Sequence, residues 1–153
     1  MAATSGNLQI RRCLPEDCAD IFALDRTLWG NWSYGSPFTR QLTDMGHPVF
    51  VARDVSGALA GYCIGLTQAD CVTGYILDVT THPHYRRQGA AAGLVSAVVE
   101  DFRNRNMKAV NAAIDGKNEA SKRLFAGLGF WEAKQMKNYY ETGDLHCLFR
   151  LEL

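Results

Sequence analysis

Between His82 and Leu94 the chain reads HPHYRRQGAAAGL. Two arginines and a glycine stand where small residues are about to begin a helix. The first amides of a helix have no partner inside it and point outward, and the helix dipole adds partial positive charge there. Gly89 has no side chain, so an anion can approach the backbone. The spacing Arg86-x-x-Gly89-x-Ala91 therefore makes a cradle for a pyrophosphate. A basic turn ahead of a good helix former is the plain alternative. A Walker loop is excluded because Gly-Lys-Ser/Thr is missing, and a dinucleotide fingerprint because G-x-G-x-x-G is missing.

Just upstream, Asp78 is an acid inside the otherwise apolar stretch YILDVTT. It is a candidate general base, with an ion pair to an arginine as the competing role. Strand alternation puts Tyr75 and Leu77 on one face and Asp78 on the other, unless a bulge reverses them. His82 and His84 have the look of a metal pair. No carboxylate or cysteine falls at ligand spacing beside them, so no metal is expected. Nothing near Cys63 or Cys71 would lower a thiol pKa, which argues against a cysteine nucleophile. Trp29, Trp32, Tyr34 and Phe38 cluster in one stretch, either as a plug over the core or as the wall of a pocket.

The elements that must position these residues follow from periodicity. Leu8–Arg12 reads as a strand. A helix starts at Pro15, with Glu16 and Asp17 at its positive end and Ile21, Leu24 and Leu28 as its apolar stripe. LWGNWSYGSPF reads as an aromatic loop, followed by a short helix over Thr39–Met45. Strands Val49–Arg53 and Leu59–Leu66 flank the hairpin turn DVSGA. Val72–Thr81 is the next strand, ended by Pro83. A helix over Ala90–Arg105 carries Leu94, Val95, Val98, Val99 and Phe102 at helical spacing. Ala109–Ile114 reads as a buried strand and Glu119–Leu128 as a helix, which Gly129 closes in the left-handed region. Glu132–Tyr140 and Leu145–Glu152 form a terminal hairpin, and Trp131 is placed in the core. The order predicts a mixed α/β domain with a largely antiparallel sheet.

The totals fit that picture. One domain over 1–153 suits the 153-residue length, with 1–7 as a flexible tail. Hydrophobic residues make up 47%, against broad disorder. Formal net charge is zero, against a bulk-charge nucleic-acid binder. The five cysteines form no C-x-x-C pair and read as reduced thiols of a cytoplasmic protein. No apolar run is long enough to span a membrane. A monomer or a homodimer is expected.

The strand YILDVTTHP, the RRQGAA loop, the block NEASKRLFAGLGF and the final KNYY occur in an order that resembles the GNAT superfamily of acyl-CoA-dependent N-acyltransferases. The likeness runs from Ile10 to the C-terminus. Within the superfamily, KNYY after LGF is similar to the branch that acetylates protein N-termini, such as the ribosomal-protein alanine acetyltransferases. The resemblance implies the GNAT fold, with a splay between the strands Tyr75–Thr81 and Ala109–Ile114. It implies acetyl-CoA as co-substrate and a primary amine as acceptor, either a protein or peptide N-terminus or a small amine such as an amino sugar or polyamine. A CoA-binding sensor with little turnover is the non-enzymatic alternative.

Residue by residue, the resemblance gives the amides of Arg87, Gln88, Gly89, Ala90, Ala91 and Ala92, beside Arg86, to the pyrophosphate. Val79, Thr80 and Thr81 take the pantetheine arm, and the amide of Val79 or Thr80 polarises the carbonyl. Asn118, Ser121 and Phe125 join the cofactor contacts, and Arg123 or Lys122 meets the 3′-phosphate or is merely solvated. Tyr75 would help deprotonate the amine through water, with Asp78 as the alternative base. Asn111 would orient a water. Trp29, Trp32 and Tyr34 would wall the acceptor pocket. Tyr139 and Tyr140 would grip a peptide, or serve only as strand aromatics. Two positions depart from the family pattern. Phe125 stands where relatives carry a proton-donating tyrosine, and Ala113 where many carry a basic carboxylate. Tyr140 is the candidate to supply the missing proton.

Overall fold

The computed structural model describes residues 3–34 and 36–153; Met1, Ala2 and Gly35 lie outside it. Its strands, in chain order, are β1 (Ala3–Ser5), β2 (Leu8–Arg12), β3 (Val49–Arg53), β4 (Leu59–Thr67), β5 (Thr73–Thr81), β6 (Ala109–Asp115), β7 (Trp131–Lys137) and β8 (Leu145–Glu152). Its helices are α1 (Cys18–Trp29), α2 (Ser36–Asp44), α3 (Ala90–Asn104) and α4 (Glu119–Gly127). The strands form one sheet in the order β1-β2-β3-β4-β5-β6-β8-β7. Every described pairing is antiparallel except β5 with β6. The mixed, mostly antiparallel α/β architecture read from the sequence is the one observed.

Alternation along the strands divides the core in two. On β3, Phe50 and Ala52 face α3 and α4, whereas Val49 and Val51 face α1 and α2. The first layer centres on Leu94, Val95, Val98 and Phe102, which follow one another at helical spacing along α3. A Cβ on Gly74 would lie 2.6 Å from the Phe102 ring, so β5 needs glycine for α3 to sit that close. The second layer gathers Ile21 and Leu24 of α1 with Leu42, Tyr62 and Ile64.

Four boundaries differ from expectation. Ala3–Ser5 pairs with Leu8–Ile10, so part of the predicted tail is an edge strand. Pro15–Asp17 forms a 3-10 turn ahead of α1 rather than its first turn. The short helix begins at Ser36, not Thr39, because Pro37 is accommodated in a first turn, where no amide donor is needed. The last hairpin turns early. Asn138 and Glu141 take positive φ of 51° and 59°, and the Asn138 side chain accepts from the Gly143 amide at 2.6 Å. Tyr139 and Tyr140 are therefore turn residues, half exposed, rather than strand residues. Trp131, placed in the core from sequence, is 51% exposed, because it stands on the edge strand β7.

Two irregularities in β5 create the site. Its pairing with β6 covers only Thr73–Ile76, so Leu77–Thr81 has no strand on that side and the sheet splays. Its register with β4 shifts between Ile64, opposite Asp78, and Gly65, opposite Ile76. Leu77 is the extra residue of a β-bulge. The bulge cancels the alternation, so Tyr75, Leu77 and Asp78 all lie on the α1/α2 face, while Ile76 and Val79 pack toward α3.

Candidate active site

The turn before α3 leaves a run of backbone amides free. Pro83–Tyr85 forms a 3-10 turn whose Tyr85 hydroxyl donates to Asp54 in the β3–β4 turn at 2.6 Å. Arg87 and Gly89 then adopt positive φ of 62° and 80°, and α3 begins at Ala90. The Gly93 amide is bonded to the Gly89 carbonyl. Among the described residues, the six preceding amides, from Arg87 to Ala92, have no acceptor. These are the amides predicted to hold a pyrophosphate. All but Gln88 line a cleft of about 520 Å³, which is lined also by Arg86, Val79, Thr80, Thr81, Asn118 and Ser121. Thr81 lines this cleft, and its buried hydroxyl has no partner among the described residues. Free amides, an orphaned hydroxyl and an unpaired strand edge fit a pyrophosphate followed by an amide-bearing arm. A larger concavity of about 910 Å³ along α3 gathers none of the predicted residues.

The strand edge has a definite polarity. The His82 amide donates to Ala60 of β4 at 2.8 Å. Alternation then turns the main chain of Thr80 toward β4 and that of Val79 and Thr81 toward the splay. Val79, not Thr80, therefore turns its amide toward the opening, beside the Asp78 carboxyl.

Other predicted cofactor contacts fall differently. Asn118 caps α4, its side-chain oxygen accepting from the Ser121 amide at 3.0 Å, with the rest of its amide facing the cleft. Gln88 lends its backbone amide only, since its side chain donates to the His84 carbonyl. Arg123 is exposed and off the cleft. Phe125, expected among the cofactor contacts, does not line the cleft. Its ring is 2% exposed and packs edge-on against Phe130 at 5.0 Å, inside the core, and Leu124 lines the cleft in its place. His82 and His84 bond to one another, the His84 amide donating to His82 Nδ1.

The amine face is made of side chains. Asp78 accepts from the Tyr62 hydroxyl at 2.8 Å and from the Thr80 hydroxyl at 3.0 Å. Burial pushes its carboxyl above the usual range, and those hydroxyls pull it partway back. Among the described residues no cation pairs with it, so the ion-pair role falls away. Tyr75 is raised by burial and by the Tyr140 hydroxyl beside it, so it is neutral across the working range. Tyr140 also stacks edge-on against Tyr139 and His146, both at 4.7 Å. Tyr34 stacks on Phe38 at 5.0 Å, and burial, with Asp78 nearby, raises its hydroxyl above the ordinary range. Trp29 reaches the cleft, whereas Trp32 is 90% exposed. Asn111 is held at both ends, donating to Gln68 at 2.8 Å and accepting from Arg150 at 3.3 Å, which leaves little of it for a water. Burial holds the Cys63 thiol protonated.

Two residues of this face were missed in the sequence. Asp25 is 2% exposed and accepts from the Tyr62 hydroxyl at 2.7 Å and the Tyr34 amide at 2.6 Å. Tyr62 is buried between Asp25 and Asp78. A signal existed: Asp25 follows Ile21 by four positions, on the apolar stripe of its helix.

Comparison with known proteins agrees with this geometry. The [ribosomal protein bS18]-alanine N-acetyltransferase of Escherichia coli K12 is 28% identical over 89 residues, 58% of this chain and 59% of that protein, so the likeness spans less than two thirds of the relative. The aminoglycoside N(6′)-acetyltransferase type 1 of Serratia marcescens is 29% identical over 124 residues, 72% of this chain and 85% of that one. A Salmonella typhimurium acetyltransferase solved with its cofactor acetyl-CoA superposes with a TM-score of 0.83 at 22% identity, covering 97% of this chain and 95% of the other. The acetyltransferase (GNAT) family model matches residues 16–130, a span that takes in Asp25, Tyr62, Asp78 and the glycine loop but not Tyr139 and Tyr140, and this chain belongs to that family.

Proposed function

We propose that the protein transfers acetyl from acetyl-CoA to a primary amine by direct attack, with a peptide or protein N-terminal amine as preferred acceptor. The observation that carries this reading is the run of six free amides from Arg87 to Ala92, opening onto the unpaired edge of β5. Bound there, acetyl-CoA supplies a thioester carbonyl as electrophile and a thiolate as leaving group. The Arg87–Ala92 amides and the α3 dipole hold the pyrophosphate. The Val79 amide polarises the carbonyl. Asp78 takes the proton from the attacking nitrogen, and Tyr75, neutral throughout, relays through water. Tyr140 is the proton donor for the leaving group, in place of the core-bound Phe125.

The acceptor class follows from acidity. A CoA thiol resembles an ordinary thiol near pKa ~8.5 and leaves tolerably well with little help. An α-amine near ~7.7–8.0 is partly neutral at pH 7, whereas a lysine near ~10.4 is almost wholly charged. A site with one carboxylate and no acid on α4 therefore favours the α-amine. Exposed Trp29, Trp32, Tyr139 and Tyr140 at the rim give a peptide apolar surface to lie on. A small amine is the second reading, favoured by the aminoglycoside-modifying relative. The five free cysteines suit a reducing cytoplasmic setting.

The test is CoA release across a panel of short peptides and small amines, beside calorimetry with acetyl-CoA. Turnover fastest on peptides with free α-amines is expected. Turnover confined to amino sugars or polyamines would move the acceptor to the second reading. Tight binding with no turnover on any amine would make the protein a sensor.

A further inference from the structure

The Tyr62 hydroxyl carries one hydrogen, yet it meets two carboxylates. Its oxygen lies 2.7 Å from Asp25 Oδ1 and 2.8 Å from Asp78 Oδ2. Each contact is a hydrogen-bond distance between oxygens and needs a hydrogen between them. Tyrosine supplies one of these, and an ionised carboxylate supplies none. Two charged carboxylates there would leave one contact as bare lone-pair repulsion. No cation relieves it: among the described residues no Lys, Arg or His forms an ion pair with either acid.

Among the described residues the surroundings add no other charge. From α1 comes Asp25 itself, with both oxygens used, Oδ1 by the Tyr62 hydroxyl and Oδ2 by the Tyr34 amide. From β4 comes Tyr62, whose proton burial holds in place, and the buried thiol of Cys63 close by. From β5 come the Thr80 hydroxyl on Asp78 Oδ1 and the Val79 amide. From the aromatic loop comes Tyr34, with Tyr140 of the last turn beyond it.

We infer that Asp25 and Asp78 hold a single proton between them across the Tyr62 hydroxyl, with Asp25 the positioning residue for Asp78. In one arrangement Asp78 Oδ2–H donates to Tyr62 and Tyr62 donates to Asp25. In the other, Tyr62 donates to Asp78 and Asp25 Oδ1–H donates to Tyr62. Moving from the first to the second passes the Asp78 proton to the Tyr62 oxygen as the tyrosine proton passes to Asp25. The tyrosine stays neutral, and the negative charge moves from Asp25 to Asp78. Asp78 is then ionised and ready to take a proton from an amine. Its use in catalysis rests on the reading of Asp78 as the base; the proton count does not.

The test is a carbon NMR titration of protein labelled at the aspartate carboxyl carbons, run beside kcat/KM against pH. In the wild type, one aspartate's worth of carboxyl signal should remain protonated at pH 7, shared between Asp25 and Asp78. Asp25→Asn should leave Asp78 fully ionised there, because the asparagine amide can donate to the Tyr62 oxygen and free the hydroxyl for Asp78. Its acid limb in kcat/KM should then move down by about one pH unit. Tyr62→Phe removes the donor to both carboxylates, so the Asp78 signal and the acid limb should move up. A merely structural role would not send the two variants in opposite directions. Wild-type Asp25 and Asp78 both ionised at pH 7 would overturn the proposal, and this readout needs no variant to fold. An unchanged Asp78 signal in Asp25→Asn would overturn it too. Carboxyl signals that move as stated while the kinetic limb stays fixed would uphold the shared proton and sink Asp78 as the base.

Discussion

The cleft before α3 and the face around Asp78 lie on the same strand, yet they are made differently. The cleft presents main chain: six free amides, two residues at positive φ and an unpaired strand edge. The face proposed for the amine presents side chains from four places, Asp25 of α1, Tyr62 of β4, Asp78 of β5 and Tyr140 of the last turn. A main-chain site asks only for a local conformation, so it tolerates most sequences that permit that conformation. A side-chain site depends on several elements arriving together, so its chemistry can be rewired by changing one residue. Phe125 and Ala113 fit that contrast, because the free amides of the cleft do not depend on the two positions where the resemblance leads one to expect an acid and a base and this chain has apolar residues.

The largest expected effect falls on the amine face. Asp78→Asn should lower kcat/KM by about 10²–10⁴ and remove the acid limb of its pH profile, which lies above the ordinary carboxylate range. Tyr75→Phe should lower the rate and leave that limb in place. If neither variant moves the profile, both residues lose their roles. Asp78→Asn has a second signature, in stability. A carboxyl raised in the folded state stabilises below its unfolded pKa, and that stability is lost as pH rises through the folded pKa. Melting curves should therefore show the asparagine variant gaining on the wild type from about pH 4 upward.

On the cleft side, Gly89→Asp should weaken acetyl-CoA binding about a hundredfold, through left-handed strain and charge set against the pyrophosphate. Gly89→Ala should weaken it about tenfold, from strain alone. Calorimetry reads both, and unchanged affinity in the aspartate variant would break the cradle. The contrast between the two regions also predicts a failed repair. Phe125→Tyr, which restores the family residue, should yield no faster turnover and should cost about 1–3 kcal/mol by burying a hydroxyl beside Phe130. A thermal melt and a rate measurement check it, and a gain in kcat would show that the ring reaches the thioester. The smallest effect belongs to Tyr85→Phe. It should raise the Asp54 carboxyl from about 2 and loosen acetyl-CoA binding only slightly, as read by NMR titration and calorimetry.

Much of this was legible beforehand, for a local reason. The six amides follow from Gly89 at the mouth of a helix whose apolar residues recur at Leu94, Val95, Val98 and Phe102. Gly129 takes the left-handed conformation expected of it, at φ 90°. Boundaries failed where hydrogen bonds outside the pattern decided them, as where Asn138 closes the last turn and leaves Tyr139 and Tyr140 outside the strand. The side of β5 that Asp78 occupies stayed open in the sequence, because a bulge such as the one at Leu77 changes a two-residue rhythm without marking it in composition.

By itself the sequence determined the order of strands and helices, the glycine turn and the apolar faces, since each rests on contacts within a few residues. Only the tertiary structure decided that Phe125 belongs to the core, that Val79 rather than Thr80 faces the splay, and that Asp25 and Asp78 meet across Tyr62. Those three residues are 37 and 16 positions apart along the chain. No local rule brings them together; the packing of α1 over a bulged strand does.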